Sequence, residues 1–126
     1  MRWLKETRSI CEEDGGRLQV DWNSLVHYTN LNGNDIDDLV LDGGAVQCSS
    51  MPSFLCGSGG CSIVAVVDGR YMQEFLGYGW RPVLRRGKRL LAIDVSPAAC
   101  GHRDPCTAYW RWNPRAHRFV LEGYSN

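Results

Sequence analysis

The period of the apolar positions changes part-way along the chain. Trp3, Leu4, Thr7, Ile10 and Cys11 recur at helical spacing with Arg, Lys and Glu between them, and Gly15-Gly16 stop the pattern. This predicts one amphipathic helix over residues 1–16. Leu18 to Asp21, Leu25 to Tyr28 and Leu39 to Leu41 then read as short strands, ending at Gly43-Gly44. The stretch from Gln47 to Gly60 is small and polar and reads as a loop. From Cys61 onward, runs of strand type alternate with turn signals. CSIVAVV and RYMQEFL flank Asp68-Gly69, a dipeptide that supplies the positive φ angles a type I′ hairpin turn needs. Trp80 to Leu84 pairs in the same way with Arg89 to Val95 around Arg86-Gly87-Lys88. Thr107 to Trp112 pairs with His117 to Glu122 across Asn113-Pro114-Arg115-Ala116.

These elements predict an α+β fold in which the N-terminal helix packs on one face of an antiparallel β-meander. A curved sheet or half-barrel satisfies the pattern equally. Within the strands Leu91, Ile93 and Val95 fall on one face, as do Ala108, Trp110 and Trp112, so that face is expected to be buried. The chain of 126 residues reads as a single domain: helix in 1–16, short strands and loops in 17–60, meander in 61–126.

Six cysteines change the picture. Cys56 and Cys61 close CGSGGC, Cys100 and Cys106 close CGHRDPC, and Gly or Pro in each loop lets two sulfurs approach. Proximity therefore suggests Cys56 with Cys61, Cys100 with Cys106, and a longer bridge between Cys11 and Cys48, although spacing alone does not determine connectivity. The rival reading is a zinc site built from Cys56, Cys61, Cys100 and Cys106 with His102 to spare. Neither segment has the C-x2-C spacing usual in structural zinc knuckles. Disulfides imply an oxidising compartment, so the expectation is a periplasmic or secreted protein. The first residues lack the apolar core of a signal peptide, which fits a mature domain whose leader has been removed. The longest apolar run, Ile63 to Val67, is too short to enter a bilayer as a spanning helix. Fourteen basic residues balance fourteen acidic ones, which gives no global attraction to nucleic acid or anionic lipid.

One loop suggests a ligand. Asn30-Leu31-Asn32-Gly33-Asn34-Asp35-Ile36-Asp37-Asp38 before Leu39-Val40-Leu41 resembles the calcium loop of FG-GAP repeats in integrin-alpha-type propellers, and more loosely those of dockerins and EF-hands. On that resemblance calcium would be bound by the side chains of Asn30, Asn32, Asn34 and Asp38 and the carbonyl of Ile36. Asn stands at the first and fifth ligand positions where the family has Asp, and Asp35 stands where it has Gly, so the implied site is weak. The bland alternative is a turn, because Asn and Asp cap turns through their own side chains. The order of this loop, CGSGGC and the later W-R-W strand is also similar to that of small exported bacterial proteins, which implies an extracytoplasmic address and no particular chemistry.

No catalytic set stands out. His27, His102 and His117 lie on different elements and outside hydrolase or zinc spacings. Ser58 is not followed by a strand-to-helix elbow, and Cys56 has no adjacent base. Glu12, Glu13 and Asp14 read as the solvated end of a helix. The bland reading of the basic segment Arg81 to Arg89, the one basic cluster, is a charged hairpin tip that prevents edge aggregation; with Tyr109, Trp110, Arg111 and Trp112 it is also the candidate binding surface. Its residue types suit single-stranded nucleic acid, against which the zero net charge counts, or protein hot spots. The expectation is therefore a non-enzymatic extracytoplasmic protein that recognises another protein through Trp80, Arg85, Arg86, Tyr109 and Arg111, with a periplasmic inhibitor or immunity protein against a toxin as its specific form. A calcium-dependent adhesion or wall-glycan module is the first alternative and a hydrolase with an unfamiliar site the second.

Overall fold

A computed structural model of the chain describes residues 1–125. Helix α1 (Arg2–Glu13) forms over the segment with helical period. It buries Trp3, Thr7 and Cys11, a stripe at i, i+4 and i+8, while Ile10 stays 54% exposed at the edge of that stripe. The Thr7 hydroxyl donates to the Trp3 carbonyl at 2.7 Å, so its burial leaves no unpaired donor. Gly15 takes a φ of 80° and the Gly16 N–H returns to the Cys11 carbonyl, which ends the helix where the glycine pair stands.

Strand β1 (Leu18–Val20) pairs with β4 (Val46–Cys48) as a separate two-stranded ribbon. Between them lie one helical turn, α2 (Trp22–Leu25), then β2 (Val26–Thr29), β3 (Asp38–Asp42) and a 3-10 turn at Gly43–Ala45. The 47–60 segment, expected as a loop, also carries the short strand β5 (Cys56–Gly57). The meander follows as β6 (Gly60–Val67), β7 (Tyr71–Gly77), β8 (Gly79–Arg85), β9 (Lys88–Val95), the turn α3 (Pro97–Cys100), β10 (Cys106–Asn113) and β11 (Arg118–Ser125). Its hairpins have the expected turn chemistry. Asp68 and Gly69 hold φ of 55° and 69°, and Arg86 and Gly87 hold 51° and 76°.

The strands do not make one sheet. β2, β3, β6 and β7, with β5 beside β6, form a first antiparallel sheet, and β8 to β11 form a second in sequence order. About half of the chain, 51%, is strand, so the molecule is mostly β with one long helix rather than a helix laid on a single meander. The change of sheet occurs at Gly77-Tyr78-Gly79, where the Tyr78 N–H donates to the Asp94 carbonyl at 2.7 Å. A Cβ on Gly77 would stand 2.5 Å from Ile93 Cγ2 and 2.6 Å from the Asp94 oxygen. Position 77 has no room for a side chain.

Between the two sheets lies a core of Val40, Ile63, Ala65, Val67 and Phe75 from the first and Leu91, Ile93, Val95, Ala108 and Phe119 from the second. Trp80, Trp110 and Trp112 pack against it. The opposite face of the first sheet turns Leu41 and Val64 toward Trp3, Cys11, Leu18 and Leu25, so β3 and β6 are buried on both sides. That is why CSIVAVV is continuously apolar instead of alternating. Three disulfides tie the layers: Cys11 to Cys48 joins α1 to β4, Cys56 to Cys61 joins β5 to β6, and Cys100 to Cys106 closes the connection from α3 to β10. The pairing suggested by proximity is thus the one adopted. The zinc reading is overturned because all six sulfurs are bonded to each other.

Candidate functional site

Alternation in the second sheet decides which side chains meet. Trp80 pairs opposite Ile93 and turns inward, where it packs on the core and stacks edge-on against His27 at 5.4 Å. Arg81, Val83 and Arg85 therefore face outward, together with Lys88, Leu90 and Ala92 of β9 and Tyr109 and Arg111 of β10. Of the five expected contact residues, Arg85, Arg86, Tyr109 and Arg111 come to one end of this outward face, around the β8–β9 hairpin tip. Trp80 is on the other side of the sheet.

At that end the Arg85 guanidinium lies 4.4 Å above the Tyr109 ring, a cation–π contact that fixes a long side chain over an aromatic plane. The Tyr109 hydroxyl in turn accepts from Ser125 Oγ at 2.9 Å. A shift of register between Tyr109 and Trp110 makes a bulge opposite Glu122 and Gly123. The Glu122 carboxylate accepts from Arg111 Nε at 2.7 Å and stands 3.7 Å from Lys88 Nζ. A depression of about 310 Å³ opens here, bounded by Arg85, Arg86, Lys88, Tyr109, Glu122 and Tyr124 with Leu90 as its nearly buried floor. Arg111 and Lys88 thus contact the one carboxylate that lines the depression. Among the described residues, neither Arg85 nor Arg86 has an acidic partner within salt-bridge distance. The far end of the same face is closed by contrast: Arg81 Nη1 donates to both oxygens of Asp94 at 3.0 Å, and Thr107 Oγ1 donates to Asp94 at 2.9 Å.

Glu122 and Tyr124 escape a reading of the sequence, and Lys88 falls in the basic segment but outside the expected contact set. Lys88 looks like a turn residue and is the first residue of β9. Glu122 reaches Arg111 only through the bulge, whose one signal is Gly123, an isolated glycine in a strand.

The loop that resembles a calcium site is closed by its own hydrogen bonds. Asn30 Oδ1 accepts from the Gly33 N–H at 2.8 Å, Asn32 Oδ1 from Asn34 N–H at 3.2 Å, and Asn34 Oδ1 from Ile36 N–H at 3.0 Å. Asn30 Nδ2 also donates to the Asn34 carbonyl. Asp38, 1% exposed, accepts from the Leu31 N–H and the Asp68 N–H, both at 2.9 Å. Asp68 then accepts from Asn32 Nδ2 at 2.9 Å and Asn34 Nδ2 at 2.7 Å. Each expected side-chain ligand oxygen thus already serves an N–H donor, and the carbonyl of Ile36 lies on an exposed residue. Among the described residues the one grouping of three His, Cys, Asp or Glu ligand atoms is Cys100, His102 and Cys106, and its two sulfurs form a disulfide.

A cavity of about 610 Å³ lies where the β1–β4 ribbon meets the Gly77–Gly79 crossover and is bordered by Asp21, Ser24, Asp42 and Tyr78. Ser24, Asp21 and the neighbouring His27 have the residue types of a hydrolytic triad but not its connections. Ser24 Oγ donates to Asp21 at 2.9 Å, and His27 Nε2 is bonded to the Ser24 carbonyl at 2.9 Å. His27 is not directed at the hydroxyl, which meets only a carboxylate, so the Ser-His-Asp relay that activates a serine is not formed.

No family model matches the sequence, and no curated protein and no solved structure is significantly similar to it. What fold and surface define is a class: a mostly-β, three-disulfide domain that presents a basic and aromatic patch at one end of an outward sheet face. No helix among the described residues is long and apolar enough to cross a membrane.

Proposed function

We propose that the chain is a non-enzymatic, extracytoplasmic binding protein that recognises another protein through the outward face of β8 to β11, in the manner of a periplasmic inhibitor or immunity protein against a toxin. The observation that carries this reading is the cation–π pair of Arg85 on Tyr109 beside Arg111. Tyr and Arg are residue types that dominate binding hot spots. Holding them in place before encounter lowers the ordering cost of association. Three disulfides favour an oxidising compartment and a rigid framework behind the face. Affinity capture from the extracytoplasmic fraction of producing cells, with the variant Tyr109→Ala as control, tests the proposal. A protein retained by the wild type and lost by the variant supports it; no specific retention refutes it.

The calcium-dependent adhesion or glycan-binding reading draws less support. Trp110 stacks edge-on against Phe75 at 5.0 Å and Trp112 against Phe119 at 5.1 Å, so these rings serve the sandwich and do not offer sugars a platform. The loop from Asn30 to Asp38 reaches its shape through N–H donors.

A further inference from the structure

We propose that the hairpin-tip end of this face receives the carboxylates of an acidic segment of the partner protein, with Arg85 and Arg86 as the receiving cations and Glu122 as a built-in competitor for Arg111 and Lys88. The inference rests on the reading of the face as a protein-binding surface. Charge complementarity is its first ground: Arg85, Arg86 and Lys88 line a depression with Glu122 as its one carboxylate, Arg111 is bonded to that carboxylate, and the two arginines at the tip have no acidic partner within salt-bridge distance among the described residues. Geometry is its second. The Arg85 guanidinium carbon stands 4.4 Å from the centre of the Tyr109 ring, and a guanidinium presents an N–H fork that matches the two oxygens of a carboxylate. Glu122 occupies Arg111 through Nε and sits close to Lys88, so it models in cis what a partner's carboxylate would do in trans.

The same contacts disfavour a nucleic acid strand or a sulfated glycan. A strand needs successive free aromatic faces, and here the Tyr109 ring carries Arg85 while Trp110 and Trp112 turn into the sandwich, which leaves Tyr124 as a single exposed ring. A continuous polyanion following the face would also run against Glu122 and then Asp94. Discrete carboxylates on a folded or extended protein segment avoid both.

The test is a titration of the intact disulfide-bonded protein with a fluorescent peptide rich in Glu and Asp, its Gln and Asn isostere, an oligothymidylate and heparin. The acidic peptide is expected to bind at least about tenfold more tightly than its isostere and to weaken as salt rises from about 50 to about 300 mM. Arg85→Ala and Arg86→Ala should each weaken it about fivefold, and Arg85→Lys, which keeps the charge and loses the fork, should fall between Arg85→Ala and the wild type. Glu122→Gln should tighten it about threefold by releasing Arg111 and Lys88. Equal binding of the isostere, indifference to both arginine substitutions, weaker binding by Glu122→Gln, or tighter binding of oligothymidylate or heparin than of the peptide would each overturn the proposal. A natural partner that is captured undiminished by the Arg85→Ala/Arg86→Ala protein also overturns it while leaving the protein-binding reading intact. Unchanged melting temperatures confirm that each variant is folded.

Discussion

Asp38 is the residue on which the loop between β2 and β3 most depends. It is 1% exposed, and its two oxygens accept from backbone N–H groups of Leu31 and Asp68, one in its own loop and one at the β6–β7 turn. Asp68 passes the connection on by accepting from Asn32 and Asn34. The substitution Asp38→Asn keeps size and shape but turns one acceptor into an NH2 group facing an N–H. Losing a hydrogen bond to a charged acceptor costs about 1.5–3 kcal/mol, and stranding a buried donor adds about 1–3 kcal/mol. Relief from burying a carboxylate offsets part of this. The net expectation is about 2–4 kcal/mol of lost stability, a large share of the roughly 5–15 kcal/mol typical of a domain. Urea unfolding of the oxidised protein followed by tryptophan fluorescence measures it, with an unchanged m value showing that the denatured state is the same. A loss below about 0.5 kcal/mol would refute the hydrogen-bond account of the loop, since surface substitutions alone give changes of that order. Millimolar calcium should leave the wild-type melting temperature where it is. A rise would mean that the native state binds the ion and that the account is wrong.

The bridges should differ in weight. Chain entropy assigns about 4 kcal/mol to Cys11–Cys48, which spans 37 residues, and about 2 kcal/mol to Cys56–Cys61, which spans 5. Unfolding of the Cys11→Ala/Cys48→Ala protein against Cys56→Ala/Cys61→Ala checks the order, and equal losses would contradict it. Gly77→Ala should cost about 1–3 kcal/mol by thermal or urea unfolding, because its methyl would overlap Ile93 and the Asp94 backbone. A neutral result would mean that the crossover of the chain between the sheets is looser than it is drawn.

Local features of the fold could be read from the residues themselves. The stripe of α1, the Gly15-Gly16 stop and the turns at Asp68-Gly69 and Arg86-Gly87 depend on neighbours in sequence, and each forms where its chemistry stands. The split into two sheets depends on what Gly77-Tyr78-Gly79 meets across the fold, since a glycine turn looks the same whether the next strand pairs or crosses. The site shows the same division. Parity alone separates Trp80 from Arg85 along one strand, so the sequence held that information and the expected contact set did not use it. Glu122 was hidden because it is itself the extra residue of the bulge, between Leu121 and Gly123, and register is a property of two strands together. Asp68 was hidden for a similar reason: a turn residue became the partner of a loop thirty positions earlier.

On the proposed function, the partner covers the hairpin-tip end of the β8–β11 face. Arginine-selective labelling with phenylglyoxal, read by mass spectrometry on the captured complex and on the free protein, tests it most directly. Arg85 and Arg86 are exposed in the free chain, as are Arg70, Arg103 and Arg115 elsewhere on the surface. Protection of Arg85 and Arg86 in the complex, with Arg70, Arg103 and Arg115 still labelled, is the predicted result. Labelling of Arg85 and Arg86 at the free rate in a complex that protects other arginines would contradict it.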